Sequence, residues 1–209
     1  KFYGAASYVD QMKAGITYFV NNKGKKALCA MYQDTDFGKE VLDGVVMQAE
    51  KMKLKIAETV THKPTDQDFS AQVSKLKAAN CDLVVLGTIV RDSLVPYATA
   101  RKMGWNDVDF LGSAASYDLF VAAAQGGVTE GLYAMGLTAM PYRDTLGADA
   151  QKWFDRYKDR YKVDPNIGAI YGHVAADLTV TGLTKTGPEL TTDSFVKGLE
   201  SVKGYRDIF

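Results

Sequence analysis

Asp34 and Asp36 stand either side of Thr35, just after the apolar run 27–32. Two carboxylates at the end of a strand can hold a divalent metal, as a phospho-acceptor site does. That chemistry also needs an acid at the end of the third strand and a lysine after the last. Here the third strand ends in Gly87-Thr88-Ile89, so the reading fails and no metal is expected. Thr35 or Asp36 reads instead as the cap of a helix beginning near Gly38. The rest of the catalytic repertoire is missing. The chain has no phosphate loop, no Gly-x-Gly-x-x-Gly after a strand, no Gly-x-Ser-x-Gly and no His-Glu-x-x-His. His62 and His173 fall on different predicted elements, with no cysteine or carboxylate at ligand spacing. His62 reads as an exposed loop residue. His173 reads either as a hydrogen-bonded helix-surface residue or as a ligand contact.

A second set of residues suits binding. Phe37 places a large aromatic on the loop after the first strand. Thr88, Ile89 and Arg91 follow the third strand; Ser113, Ala114, Ser116 and Tyr117 follow the fourth. Arg91 could grip a carboxylate with both arms of its guanidinium, or pair with Asp92 or Asp118. Tyr117 offers a ring and a hydroxyl, or packs inward at the start of a helix. These residues contain no nucleophile–base pair, which predicts a binding crevice, no catalysis and no cofactor.

The elements that must position them alternate. Strand patterns at 27–32, 54–60, 82–86, 109–112 and 131–138 are separated by helical patterns at 38–53, 68–80, 93–103 and 117–125. Thr65 reads as the cap of the second of these helices. Short connections in a β-α-β series force parallel strands and right-handed crossovers. The predicted fold class is therefore α/β, a doubly wound parallel sheet, with strand ends that carry ligands. A helix at 7–22 precedes it. After Pro141 come three helices at 148–161, 167–186 and 192–202 with no strand between them. Thr191 caps the last, with Leu190 and Phe195 as a hydrophobic staple. Cys29 reads as lying inside the first strand and Cys81 just before the third, at different depths, so free buried thiols are expected rather than a disulfide.

The 209 residues carry 25 basic and 25 acidic side chains, a formal balance of zero. That balance gives no long-range pull on nucleic acid or on an anionic membrane. No stretch approaches the roughly 20 apolar residues of a spanning helix. The chain is expected not to cross a membrane itself.

Four segments carry a resemblance. KALCAMYQDTDFG (26–38) resembles the second-lobe opening of type I periplasmic solute-binding proteins, which serve ABC importers of the branched-chain amino acid type. DQDFSAQVSKLKAANCD (66–82), ARKMGW (100–105) and TEGLY (129–133) are similar to later landmarks of that family. The resemblance implies a two-lobe fold closing on a small molecule in the inter-lobe cleft. On that template residues 7–139 form the second ligand-binding lobe. Residues 1–6 and 140–209 form the hinge, with a crossover at 2–6, and an incomplete first lobe whose helices lack most of their sheet. The chain would thus be one lobe plus part of another, with weak binding on its own. The implied function is an extracytoplasmic receptor, periplasmic or lipid-tethered, with a small-molecule solute and an ABC permease as partners. An effector domain of a transcription regulator shares the fold and is the alternative from another class. The family's contact positions fall on Phe37, Ile89, Ala114 and near His173. Ala114 stands where an acid holds the ammonium of an amino acid. Burying an ammonium without that partner is costly. An aromatic carboxylate of the benzoate type is therefore expected, with a branched-chain amino acid or another small polar solute as the alternative.

Overall fold

A computed structural model describes residues 5–209. They divide into two compact units, Ala5–Leu137 and residues 138–209. The expected crossover at residues 2–6 lies, but for its last two residues, outside the described residues.

The first unit alternates strand and helix. Helix α1 (Tyr8–Lys23) starts on Ser7, whose hydroxyl accepts from the Asp10 amide at 3.1 Å. Then follow β1 (Leu28–Gln33), α2 (Asp36–Met52), β2 (Ile56–His62), α3 (Ser70–Ala78), β3 (Leu83–Gly87), α4 (Val90–Lys102), β4 (Asp109–Gly112), α5 (Leu119–Ala122) and β5 (Leu132–Ala134). The strands form one sheet in the order β2-β1-β3-β4-β5, every pairing parallel. The doubly wound sheet read from the sequence is therefore present.

The two-residue period of the strands sorts side chains onto two cores. Leu28, Ala30, Leu83 and Val85 meet Met12, Ile16, Phe19, Val41 and Val45 of α1 and α2. Cys29, Met31, Val84 and Leu86 meet Val73, Leu76, Tyr97 and Ala100 of α3 and α4. Both faces are covered, which explains the unbroken apolar run of β3. Gly44 sits where α2 meets α1: a Cβ there would lie 2.9 Å from Val9 Cα, so only glycine allows this approach.

Several boundaries differ from the sequence reading. The helix expected at 117–125 shrinks to α5, because Asp118 is extended and caps it, accepting from the Phe120 amide at 2.8 Å. A 3-10 turn, Ala114–Ser116, precedes it. Thr65 does not cap α3; Asp68 instead accepts from the Ser70 amide at 2.9 Å. β2 runs on past Val60 to His62. The cysteines are also corrected: Cys29 and Cys81 form a disulfide, with Cα atoms 5.9 Å apart. A place before β3 does not keep Cys81 at another depth, because the turn there brings it to Cys29. Asp82 pins that turn by accepting from the Lys26 and Ala27 amides at 2.9 and 3.0 Å, beside Cys29.

The second unit holds α6 (Ala148–Tyr161), α7 (Ile167–Thr186) and α8 (Thr192–Glu200). Thr191 caps α8 in a reciprocal capping box with Ser194. Leu190, the expected staple partner, is 60% exposed. Leu146, Ala150 and Phe154 form a small core with Trp153 and Phe209 packed against it.

Candidate functional site

The strand order reverses direction between β1 and β3. A crevice opens at such a point, outside the carboxyl ends of the strands, because the connections leave toward opposite faces. Three loops meet this edge: Asp34–Phe37 after β1, Thr88–Asp92 after β3 and Ser113–Tyr117 after β4.

The first loop turns tightly. Thr35 caps α2, its hydroxyl accepting from the Gly38 amide at 3.3 Å. A Cβ on Gly38 would lie 1.9 Å from the Gln33 carbonyl oxygen, so the turn requires glycine. Phe37 then rests half-buried with its ring 4.8 Å from that of Tyr8, edge to face. Asp34 pairs with Lys39 at 3.4 Å and Asp36 is exposed. Among the described residues, no three metal-binding side chains come together.

Hydroxyls tie the other two loops. Thr88 Oγ1 lies 2.7 Å from Ser93 Oγ, which lies 2.7 Å from Ser116 Oγ, all buried. Ser116 also donates to the Thr88 carbonyl at 3.3 Å. Ser113, fully buried, caps the 3-10 turn by accepting from the Ala115 amide at 3.2 Å. The Ala114 amide donates to Gln11 Oε1 at 2.8 Å, and Gln11 Nε2 donates to the Ala6 carbonyl at 2.9 Å. Ile89 is the N-cap of α4, supplies no side-chain cap and is 46% exposed. Tyr117 is half-buried, its ring 3.1 Å from where a Cβ of Gly136 would stand.

Arg91 is engaged by partners within the chain. Its Nε donates to Asp92 Oδ1, and its Nη2 donates to the Pro64 and Asp66 carbonyls, both at 3.0 Å. The Asp92 carboxylate beside it raises the pKa of the guanidinium. Asp92 itself is fully buried and also accepts from Gln33 Nε2 at 3.2 Å. His62 corrects the sequence reading: it is buried at the end of β2, not exposed. Its Nδ1 lies 3.0 Å from the Lys63 carbonyl and 3.7 Å from Asp92 Oδ2. Its Nε2 is buried with no hydrogen-bond partner among the described residues. Gln11 and Gln33 are structural members of this edge that residue spacing did not reveal, whereas Asp92 is one of the acids expected as a partner for Arg91. For His62 a signal existed, since it continues the inward phase of Val60.

His173 belongs to the second unit. Its ring centroid lies 5.4 Å from Trp153 and 5.6 Å from Phe209. It lines an open groove of about 720 Å³ with Asp149, Lys152, Arg156 and Asp177. Tyr205 donates to Asp177 at 2.8 Å, and burial first, then this bond, pushes its pKa up to about 12.

The carboxyl edge is knit by hydroxyls, carbonyls and one buried acid. The serine and threonine hydroxyls bond to one another and to carbonyls, and the His62 Nδ1 faces a carbonyl and a carboxylate. Among the described residues, the partners of the Thr88, Ser93, Ser113 and Ser116 hydroxyls are other hydroxyls, carbonyls and an amide.

Comparisons with known proteins follow the same line. A family profile described as periplasmic binding protein matches residues 2–209. No curated protein matches the chain. Among solved structures, a fatty acid ABC transporter substrate-binding protein from Thermomonospora curvata is 24% identical, with a TM-score of 0.83 over 98% of this chain and 54% of that one. An ABC transporter solute-binding protein from R. palustris, in complex with benzoate, is 18% identical, with a TM-score of 0.74 over 95% and 52%. A leucine-binding protein from Thermotoga maritima is 18% identical, with a TM-score of 0.75 over 93% and 55%. The chain thus spans a little over half the length of these structures.

Proposed function

Because the chain belongs to the periplasmic binding protein family, we propose that it is the solute-capturing receptor of an ABC importer, with a small aromatic carboxylate as its ligand. Its proposed contacts are Phe37, Thr88, Ile89, Arg91, Ser113, Ala114 and Tyr117 at the carboxyl edge of the sheet, and His173 in the second unit. The permease is its proposed partner, its site of action is extracytoplasmic, and it catalyses no reaction.

One observation carries the choice of ligand. The position where the resemblance places the acid that holds an ammonium carries none. Position 114 is a methyl group, and the buried acid of this edge, Asp92, is engaged by Arg91 and Gln33. An α-amino group buried here would lose its water without gaining a partner. A carboxylate finds amide donors instead, at the start of α4, where Ile89 leaves the first turn without a side-chain cap. Phe37 and Ile89 supply apolar surface for a flat ring. Two of the similar structures are described by carboxylic acids that carry no ammonium, a fatty acid and benzoate. The disulfide supports an extracytoplasmic receptor over the effector domain of a cytoplasmic regulator, since such bridges persist in oxidising compartments.

A thermal-shift panel of amino acids and aromatic acids tests the reading. A raised melting temperature with benzoate-like acids supports it, and stabilisation by leucine with no response to any aromatic acid overturns it.

A further inference from the structure

The formal balance of zero conceals a polarised lobe. Every helix of a β-α-β series ends near the amino edge of the sheet, so the connections into the strands gather there. Residues 21–27, 50–55, 75–82, 101–109 and 126–131 form those connections, and they carry ten basic and five acidic side chains. The opposite loops, 34–40, 63–69, 88–92 and 113–118, carry three basic and seven acidic ones.

Cations at helix C-termini offset the helix dipole, and this accounts for part of the excess. It does not account for how the charges are used. Lys23 and Lys25 are neutralised by Asp109, at 3.3 and 3.0 Å. Asp82 spends both its oxygens on backbone amides. Arg101 is turned inward onto the carbonyls of Trp105 and Val108. Lys77 donates to the Met103 carbonyl at 2.8 Å. Lys26, Lys51, Lys53, Lys55, Lys75 and Lys102 remain, all exposed and none in an ion pair among the described residues, against three exposed acids, Glu50, Asp107 and Glu130. Lys53 occupies a left-handed position, φ 56°, where glycine or asparagine is usual. In Lys51-Met52-Lys53-Leu54-Lys55, cations alternate with half-buried apolar residues, and Met103 is 38% exposed on the same edge.

We propose that the amino edge of the sheet is a docking surface for an anionic phospholipid bilayer. Lysines on flexible stems suit a diffuse layer of phosphates. The interleaved apolar side chains suit the headgroup boundary. The unpaired cations here are all lysine, without the forked arginines that read bases, which disfavours nucleic acid.

The test is co-sedimentation of the 209-residue chain with vesicles of phosphatidylcholine alone and of phosphatidylcholine with phosphatidylglycerol, at low and high salt. Binding should require phosphatidylglycerol and fall with salt. K51E/K53E/K55E should weaken it about 100-fold, at roughly one kcal/mol or more per lysine. K26Q/K75Q/K102Q, which removes three charges without reversing them and is checked for folding by circular dichroism, should also weaken it about 100-fold, at about one kcal/mol per lysine. K152E/K158E/K185E, the same charge change in the second unit, should leave it intact. Absence of phosphatidylglycerol-dependent binding, equal loss in both glutamate triples, or binding to duplex DNA without binding to vesicles would each overturn the proposal.

Discussion

The carboxylate of Asp92 lies 3.7 Å from Nδ1 of His62, with both side chains shut off from solvent. Asp92 thus joins the end of β2 to the start of α4, and through Arg91 it also holds the loop carrying Pro64 and Asp66. One acid fixes two of the loops beside the proposed ligand edge. Asp92→Asn keeps the shape and removes the charge that Arg91 and His62 face. It should lower the unfolding free energy by about 1–3 kcal/mol, the usual loss at a buried charged hydrogen bond. Urea melts read this as a lower midpoint at unchanged slope; an unchanged midpoint contradicts the role assigned to Asp92.

The Cys29–Cys81 bridge closes a loop across a sequence separation of 52. It should contribute about 2–4 kcal/mol by restricting the unfolded chain. C29A/C81A should show that loss in denaturant melts. Both cysteines are nearly inaccessible, at 0% and 4% exposure. A reductant should therefore act on the unfolded protein and leave the folded protein oxidised. Rapid reduction under native conditions would contradict this burial.

Gly38→Ala places a methyl group against the Gln33 carbonyl. The clash is with backbone, so β1 and α2 must part. A cost of about 1–3 kcal/mol is expected, as for overpacking elsewhere. Phe37 should move with the helix start, so ligand affinity should fall as well. Stability and affinity both at wild-type level would show that the turn is not held as described.

Arg143 forks onto Asp155 with two bonds of 2.7 Å and holds its carboxyl below the usual 3.8. A carboxyl depressed by folding contributes stability above its unfolded value, and the contribution is lost as pH falls through the lower folded value. Both groups are exposed, so the effect is small and salt-sensitive. Arg143→Met should return the Asp155 titration, followed by NMR, to the ordinary range. The two proteins should differ in stability at neutral pH and converge well below pH 4. An unmoved titration contradicts the pairing.

What could be read in the residues, and what could not, divides by range. Local periodicity gave β4, α6 and α7 with the bounds now observed, and α7 is bounded by its own cap, Asn166, and by Gly187. Side-chain partners far apart in sequence left no such mark. Gln11 holds Ala114 across a separation of 103, and Gln33 reaches Asp92 across 59. Arg91 had two open readings, a ligand fork and a pair with a neighbouring acid, and its partners here are Asp92 and the Pro64 and Asp66 carbonyls. His62 was misread because the alternation of β2 was stopped two residues early. The disulfide was missed because the α3–β3 turn folds Cys81 back toward β1, which no strand register describes.

The central claim is that Ala114 and its neighbours select an anion over a zwitterion. Titration calorimetry of benzoate and leucine into the wild-type chain and Ala114→Asp tests it most directly. Benzoate should bind the wild type in preference to leucine, and the added acid should weaken benzoate about tenfold or more, as expected when like charges meet in a partly desolvated site. Wild-type binding of leucine without benzoate, or benzoate binding indifferent to the acid at 114, would contradict the account.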